Sequence, residues 1–540
     1  MNKVLLFSVF IYFLPVRPLH SQEARMYRLH LKDKGNTTFS LSKPEDFLSE
    51  KSIQRRIRQN LPVDSVDLPL DPNYLNAIAE TGATVRTYSK WVKTVVVQLS
   101  DSDVLSRLGK LPFVDSLYCV WSGALPVESE SEDDMPLARN SEQNTLNSYG
   151  YGFAQIALNN GHLLHQAGFR GKGMTIAVLD GSFTNADNVD FFNREQIKEV
   201  KSFSHDTTDP LREGSDHGTR VLSCMLSNKS GEFVGTAPEA DYYLLRTEVA
   251  DEEYPVEEDY WVAALEYADS AGVDVVTGSL GYSTFYDSNM NHTQSQLDGN
   301  SIPISRAANL AASRGLLLFV SAGNDGDKSW GKINFPADAE NIITVGSVSD
   351  DSIRSAFSSH GYTADNRIKP DLMAQGFEAC VVGSSGEISY ANGTSFSTPI
   401  MAGLAACLWE ALPDLDSFAM LRLLRETANR FQNPDSLMGY GIADVFKAYL
   451  QQKTDIQPIF ASADLVYISV NHSDNRLYIN FMDMKEFDNC RLDIYSALGN
   501  RISSVSCLSA PIDISSLPKG IYIISLKNGF KQWVQKFVND

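Results

Sequence analysis

TIAVLD, residues 175–180, is an unbroken apolar run that ends in an aspartate. A strand with one wet face alternates apolar and polar side chains, so a run without alternation describes a strand covered on both faces. Further short runs follow it: YYLLR at 242–246, VDVVT at 273–277, LLLFVS at 316–321 and IITVGSV at 342–348. Helical spacing occupies the intervals, at 261–271, before Gly315, after Ser395, and at 418–427 and 443–450. Buried strands joined by helical crossovers predict a doubly wound, mainly parallel α/β sheet over about residues 149–450. Sites in such sheets gather at the carboxyl ends of the strands. Asp180 occupies such an end.

Two further segments carry groups suited to the same chemistry. In SDHGTRVLS, residues 215–223, His217 opens a helical stretch; in ANGTSFSTPI, residues 391–400, Ser395 stands where a strand-end loop hands over to a buried helix. A serine hydroxyl attacks well only when a base takes its proton, and neutral imidazole suits that task near physiological pH. A carboxylate then fixes the imidazole tautomer and stabilises the imidazolium. Gly393 permits a tight loop before Ser395, and the helix that follows aims backbone N–H groups at a reacting carbonyl. Pro399 is tolerated because its missing N–H would have paired only with the carbonyl of Ser395. Taken singly, Asp180 reads as a turn former, His217 as a surface or core histidine and Ser395 as a helix cap.

Together, in the chain order Asp, His, Ser, the three motifs resemble those of the subtilisin-like serine proteases. The resemblance implies a catalytic trio of Asp180, His217 and Ser395. In LLLFVSAGNDG it implies that Asn324 donates its amide to the oxyanion beside the N–H of Ser395, with Ala322 and Gly323 near the substrate. In VDVVTGSLGY it implies a strand, Ser279, Leu280 and Gly281, that pairs with an extended peptide. Thr277 and Gly278 depart from the family's usual wording before SLG, which bears on the first specificity pocket. VGTAPEADYYLLR, FPADAENIITVGSV and RIKPDLMAQG match further family blocks, so the likeness covers about residues 152–450.

The flanks read differently. Lys3, the apolar residues 4–14 and a small polar region to Gln22 form a secretory signal, too short at about eleven residues to span a bilayer. Residues 24–120 alternate strands (MYRLHL, TVRTYS, TVVVQL, VDSLYCV) with helices at 43–60, 73–81 and 101–109, a small α+β unit. It resembles the ferredoxin-like inhibitory prodomains of these proteases; an accessory binding domain is the other reading. ESESEDDMPLARNSEQN is an acidic linker suited to a processing cut, with Arg139 and Asn140 exposed in it. Residues 454–540 are successive strands with a hairpin signal at Asn528 and Gly529, a β-sandwich. RLDIYSALGNRI, IDISSLPKGIYIISL and KQWVQKFV resemble the sorting domains of type IX secretion, against which stands an ordinary immunoglobulin-like accessory domain. The expected divisions are 1–22 signal, 23–125 prodomain, 126–148 linker, 149–453 catalytic domain and 454–540 sorting domain.

With 540 residues, 43% of them apolar and 21% charged, the chain is globular and multidomain. Its formal net charge of −21 speaks against nucleic acid as a partner. The six cysteines, without CxxC spacing, form neither a disulfide scaffold nor a metal set; Cys224 and Cys407 fall on buried helices, and Cys490 and Cys507 are left as a candidate pair. No cofactor is required for the chemistry, and acidic loops such as Asp187 to Asp190 would permit structural calcium. The cluster of Asp251, Glu252, Glu253, Glu257, Glu258 and Asp259 reads either as a solvated loop or as a rim favouring basic side chains upstream of the cut. The expected molecule is a secreted or surface endopeptidase, exported through periplasm and outer membrane and restrained by its own prodomain. It acts on proteins or peptides through an acyl-enzyme. The alternatives are a maturation protease or transpeptidase, and an inert binding protein on the same fold.

Overall fold

The computed structural model describes residues 24–123, 135–136, 148–207, 209–250, 252–453 and, further on, 466–471, 476–481, 491–496, 498–506, 512–528 and 531–539. The signal region, Arg139, Asn140, Asp251, Cys490, Cys507 and Gly529 lie outside the described residues.

The N-terminal unit runs β1 (Arg25–Leu31), α1 (Glu50–Arg58), α2 (Pro72–Glu80), β2 (Thr84–Ser89), β3 (Thr94–Leu99), α3 (Ser102–Leu108) and β4 (Val114–Trp121). Its strands form one antiparallel sheet in the order β2-β3-β1-β4, as a ferredoxin-like unit requires. A short strand β5 (Met135–Pro136) comes next.

The central domain begins with α4 (Phe153–Ala157), α5 (Gly161–Gln166), β6 (Thr175–Asp180), β7 (Ile197–Ser202) and α6 (His217–Leu226). The hairpin β8 (Asn228–Lys229) and β9 (Phe233–Val234) leads to β10 (Asp241–Arg246), α7 (Val256–Ala271), β11 (Val275–Gly278), α8 (Pro303–Ser313), β12 (Leu317–Ser321) and β13 (Ile343–Val348). After the ribbon β14 (Gly361–Tyr362) and β15 (Ile368–Lys369) come β16 (Leu372–Gln375), β17 (Ala379–Val382), β18 (Ile388–Ala391), α9 (Thr394–Ala411), α10 (Ser417–Glu426) and α11 (Val445–Lys453). Seven strands form a parallel sheet in the order β16-β13-β12-β11-β6-β10-β7. The apolar run at 175–180 explains its own place: Ile176 and Val178 pack with α6 and α9 on one face, Ala177 and Leu179 with α7 and α8 on the other. Each valine or leucine so covered is worth about 1.5–3 kcal/mol.

Two strands of this sheet escaped the pattern reading. β7, IKEVKS, is an edge strand with three charged side chains, and β16, LMAQ, is only four residues long. The acidic stretch also differs from a solvated loop. Glu257, Glu258 and Asp259 begin α7 and are buried, where a helix N-terminus favours negative charge.

Glu258 and Asp259 are covered by the N-terminal unit. Arg28 on β1 donates through Nε to both oxygens of Asp259 at 2.8 Å and through NH2 to Glu258 at 3.2 Å. Glu266 on α7 accepts the backbone N–H of Lys90 at 3.1 Å and of Trp91 at 2.9 Å. A second anchorage lies at the opposite end of the sheet from Asp180. There Arg55 and Arg56 of α1 both pair with Asp269, Lys51 stands 3.2 Å from Asp274, and Gln59 donates to the Gly315 carbonyl at 2.8 Å. Removing one member of a buried charge group strands the others, at about 3–5 kcal/mol. Asp269→Ala, which strands buried Arg55 and takes one of its two carboxylate partners from Arg56, should therefore destabilise the uncleaved protein by that amount in urea unfolding. An unchanged midpoint would contradict the assignment.

Beyond the central domain, β19 (Val466–Asn471), β20 (Arg476–Phe481) and β23 (Ile512–Asp513) form one antiparallel sheet. β21 (Arg491–Ser496), β22 (Arg501–Ser506), β24 (Gly520–Asn528) and β25 (Lys531–Asn539) form another. The expected hairpin is present, with Asn528 itself paired to Lys531. Cys224 and Cys407 are free and buried on α6 and α9.

Candidate active site

The strand order reverses around β6 and β11, and the proposed chemistry collects at their carboxyl ends. Asp180 is fully buried at the end of β6, and its Oδ1 accepts the Gly181 N–H at 2.8 Å. The same oxygen lies 2.6 Å from Nδ1 of His217. That contact assigns the ring proton to Nδ1 and makes Nε2 the basic nitrogen. The other oxygen, Oδ2, is buried and has no hydrogen-bond partner among the described residues.

His217 is the first residue of α6, directly after Asp216. The Asp216 carboxylate accepts the N–H of Ser384 at 2.9 Å and pairs with Arg220 at 2.9 Å, which fixes the start of the helix. Gly218 is needed here for contact. Its N–H donates to the Ser182 carbonyl at 3.0 Å, and a Cβ would fall 2.4 Å from that oxygen. The helix can thus approach the loop after Asp180 closely enough for the imidazole to reach it.

Ser395 is the second residue of α9 and is 7% exposed. Its Oγ donates to the Ser279 carbonyl at 3.3 Å, and its own carbonyl accepts the Ser279 hydroxyl at 2.9 Å. Pro399 explains why that carbonyl is available, since the helical N–H that would have taken it is missing. Gly393, by contrast, is extended at φ 161°, and a Cβ there would meet Phe396 and Asn324 only at ordinary contact distances. The loop before Ser395 is permitted by Gly393 and does not require it.

Asn324, just past β12, has its amide oxygen fixed by the N–H and the hydroxyl of Thr394, each at 3.0 Å. The oxygen being engaged, the Nδ2 group is the one turned toward the start of α9 beside Ser395, within 3.6 Å of a Cβ built at Gly393. Thr394 was legible only as a motif letter; its role as the anchor of Asn324 needs the fold. Ala322 and Gly323 are tied into the scaffold: Ala322 N–H donates to Val345 at 2.9 Å and Gly323 N–H to the Thr394 hydroxyl at 3.2 Å. Gly281 lines the cleft and makes no backbone hydrogen bond to a described residue.

A cavity of about 580 Å³ joins these parts, with Gly181, His217, Ser395 and the strand Ser279, Leu280 and Gly281 in its wall. Arg246 and Glu248, at the end of β10, and Glu253 complete it on the other side. Glu253 belongs to the acidic cluster read from the sequence; Arg246 and Glu248 were not singled out, although the rule that strand ends carry sites applied to YYLLR as well. Asp187, considered for calcium, is instead paired with Arg212 at 2.6 Å.

A serine, a histidine and a carboxylate on strand and helix ends of one parallel sheet define a serine hydrolase of peptide-binding shape. The subtilase family model matches residues 171–441, half of the sequence, and the chain belongs to that family. A Peptidase S8 propeptide domain of Bacteroidota matches residues 26–135, and a secretion system C-terminal sorting domain matches 471–540. Subtilisin E of Bacillus subtilis is 27% identical over 310 residues, 56% of this chain and 73% of that protein. Subtilisin of Bacillus pumilus is 28% identical over 283 residues, 52% of this chain and 92% of that one. The structure of the epidermin leader peptide processing serine protease of Staphylococcus aureus superposes with a TM-score of 0.55 at 16% identity, covering 81% of this chain and all of that one, a likeness of fold. The protein is a secreted or cell-surface serine endopeptidase made with an autoinhibitory propeptide and a sorting tail.

Proposed function

We propose that Ser395 is the nucleophile of peptide hydrolysis, with His217 as its base, Asp180 as the partner of His217, and Asn324 with the Ser395 N–H as the oxyanion hole. The observation that carries this is the 2.6 Å contact of Asp180 with His217 beside a cavity that His217 and Ser395 share. Ser395 Oγ attacks the scissile carbonyl; His217 Nε2 takes its proton and returns it to the leaving amine. Water then attacks the acyl carbon as His217 takes its proton, and His217 passes that proton to Ser395 Oγ as the acyl–Oγ bond breaks and the acid leaves. Hydrogen bonds of this kind tighten when substrate is bound, which suits the present resting contact of Oγ with Ser279. No metal takes part in these steps. A serine-directed phosphonate tests the assignment: uptake at Ser395 supports it, and uptake elsewhere or none opposes it. Product masses separate hydrolysis from transfer to an amine.

Asn324→Leu should lower kcat by about 10²–10³ with KM little changed, the size found for the equivalent donor in subtilisin itself. A loss confined to KM would move Asn324 out of the oxyanion hole and into substrate binding.

In the same reading, 23–125 is the inhibitor, the first cut falls in 126–148, 149–453 is the catalytic domain, and 454–540 engages the type IX machinery. The flanks support the position of the cut. Gly123 is held by the Tyr254 hydroxyl at 2.9 Å, beside the loop of Glu253, and Met135 and Pro136 pair with β18, which leads to Ser395. Protein and peptide substrates follow from the paired-strand geometry of Ser279, Leu280 and Gly281.

A further inference from the structure

Glu248, Glu253 and Glu257 place carboxylate oxygens within 4.8 Å of one another beside the catalytic cavity. Several buried acids of this protein are matched with bases, and others, such as Glu266 and Asp338, with neutral donors. Glu258 and Asp259 have Arg28, Asp269 has Arg56, Asp274 has Lys51 and Asp371 has Lys369, all at 3.2 Å or less. The glutamate trio has no lysine, arginine or histidine within ion-pair distance among the described residues. Its members also differ from one another. Glu257 is satisfied, accepting the N–H of Val249 at 2.8 Å and of Tyr254 at 3.1 Å. Glu248 accepts one hydroxyl, that of Tyr282. The Glu253 side chain accepts no hydrogen bond from any described residue; it is half-buried and stands in the cavity wall. Three carboxylates crowded this closely repel one another, and a cation relieves the repulsion.

The cation's origin is indicated by position. Glu248 and Glu253 face the same cavity as His217, Ser395 and Gly281. A metal ion such as calcium wants six to eight oxygens, whereas both oxygens of Glu257 are already turned to backbone donors. Resting on the protease reading, we propose that Glu248 and Glu253 form a subsite for a lysine or arginine side chain on the acyl side of the scissile bond. The peptide brings the missing charge with it when its backbone pairs at Ser279, Leu280 and Gly281.

Burial pushes the Glu248 carboxyl up to about 7, with Asp180 adding to the rise, while the Tyr282 hydroxyl, His217 and Arg246 oppose it. Burial likewise raises Glu253, with Glu248 and Glu258 adding to it. The free subsite is therefore partly protonated below neutrality and gains negative charge as pH rises. Preference for a basic side chain should rise in the same direction. Taking the ratio of basic to neutral substrate removes the titration of His217, which both substrates share.

The test uses the processed enzyme, with rates divided by the concentration of Ser395 that the phosphonate titrates. Quenched peptides carry either arginine or the neutral norleucine at each of the four positions preceding the cut. At one position arginine should lead by about tenfold or more in kcat/KM, as expected of an enclosed charge pair. That ratio should climb between pH 6 and 8, and should fall toward one in the Glu248→Gln, Glu253→Gln double variant. Three results overturn the subsite: a ratio near one at all four positions, a ratio undiminished in the double variant, or a ratio that requires added calcium. Phosphonate labelling of Ser395 with indifferent cleavage refutes the subsite alone; absent labelling and absent cleavage refute the protease reading beneath it.

Discussion

Ser395→Ala is expected to lower turnover by about a millionfold, the loss known for removal of the nucleophile in subtilisin, and to leave the chain in one piece. The two readouts share one cause. Without Oγ no acyl-enzyme forms, so what remains is the modest rate that oxyanion donors and binding give to water alone. Ser395 is 7% exposed, and its hydroxyl bonds to the Ser279 carbonyl, so loss of one oxygen disturbs little else. Intact mass of the secreted form reports processing directly. The active protein should show a cut within 126–148 that the variant lacks. A variant cut at the same bond would assign maturation to another protease and leave only the turnover loss to Ser395.

Asp180→Asn should cost about 10⁴ in kcat, the loss seen for this change in a serine protease of another fold. The surroundings explain why an amide cannot substitute. Oδ1 receives both the Gly181 N–H and the His217 contact, and Oδ2 is buried without a partner. An amide with its oxygen at Oδ1 would bury an NH2 group with nothing to accept it. Turned over, it would set a donor against two donors and force the proton of His217 onto Nε2, where the base must be. In either orientation the imidazolium loses the negative charge beside it. KM should change little, because Asp180 does not reach the peptide. A variant with kcat within tenfold of the parent would remove Asp180 from the mechanism.

The fold and most of the site were legible because both rest on local pattern. TIAVLD, LLLFVS and IITVGSV show two-sided burial directly, and the three groups of the proposed site, Asp180, His217 and Ser395, each end or begin an element that the pattern marks. β7 and β16 were missed for the converse reason, since an edge strand is wet enough to carry IKEVKS and a four-residue strand is too short to show a period. The docking of the N-terminal unit was illegible. Arg28 and Asp259 are 231 residues apart, and nothing local distinguishes an arginine destined for burial from one in water. The acidic stretch shows the same limit, for one run of charge divides into α7 residues covered by the N-terminal unit and a glutamate that faces the substrate cleft.

The grip of α1 on the lower edge of the sheet has a bearing on the enzyme's lifetime. Arg55, Arg56, Lys51 and Gln59 complete groups on Asp269, Asp274 and Gly315 that the central domain cannot complete from its own sequence. If the linker is cut and the N-terminal unit released, as proposed above, a molecule that opens has lost the template for closing that edge. Its durability then belongs to the height of the barrier to opening, and a half-life at a given temperature describes it better than any equilibrium constant.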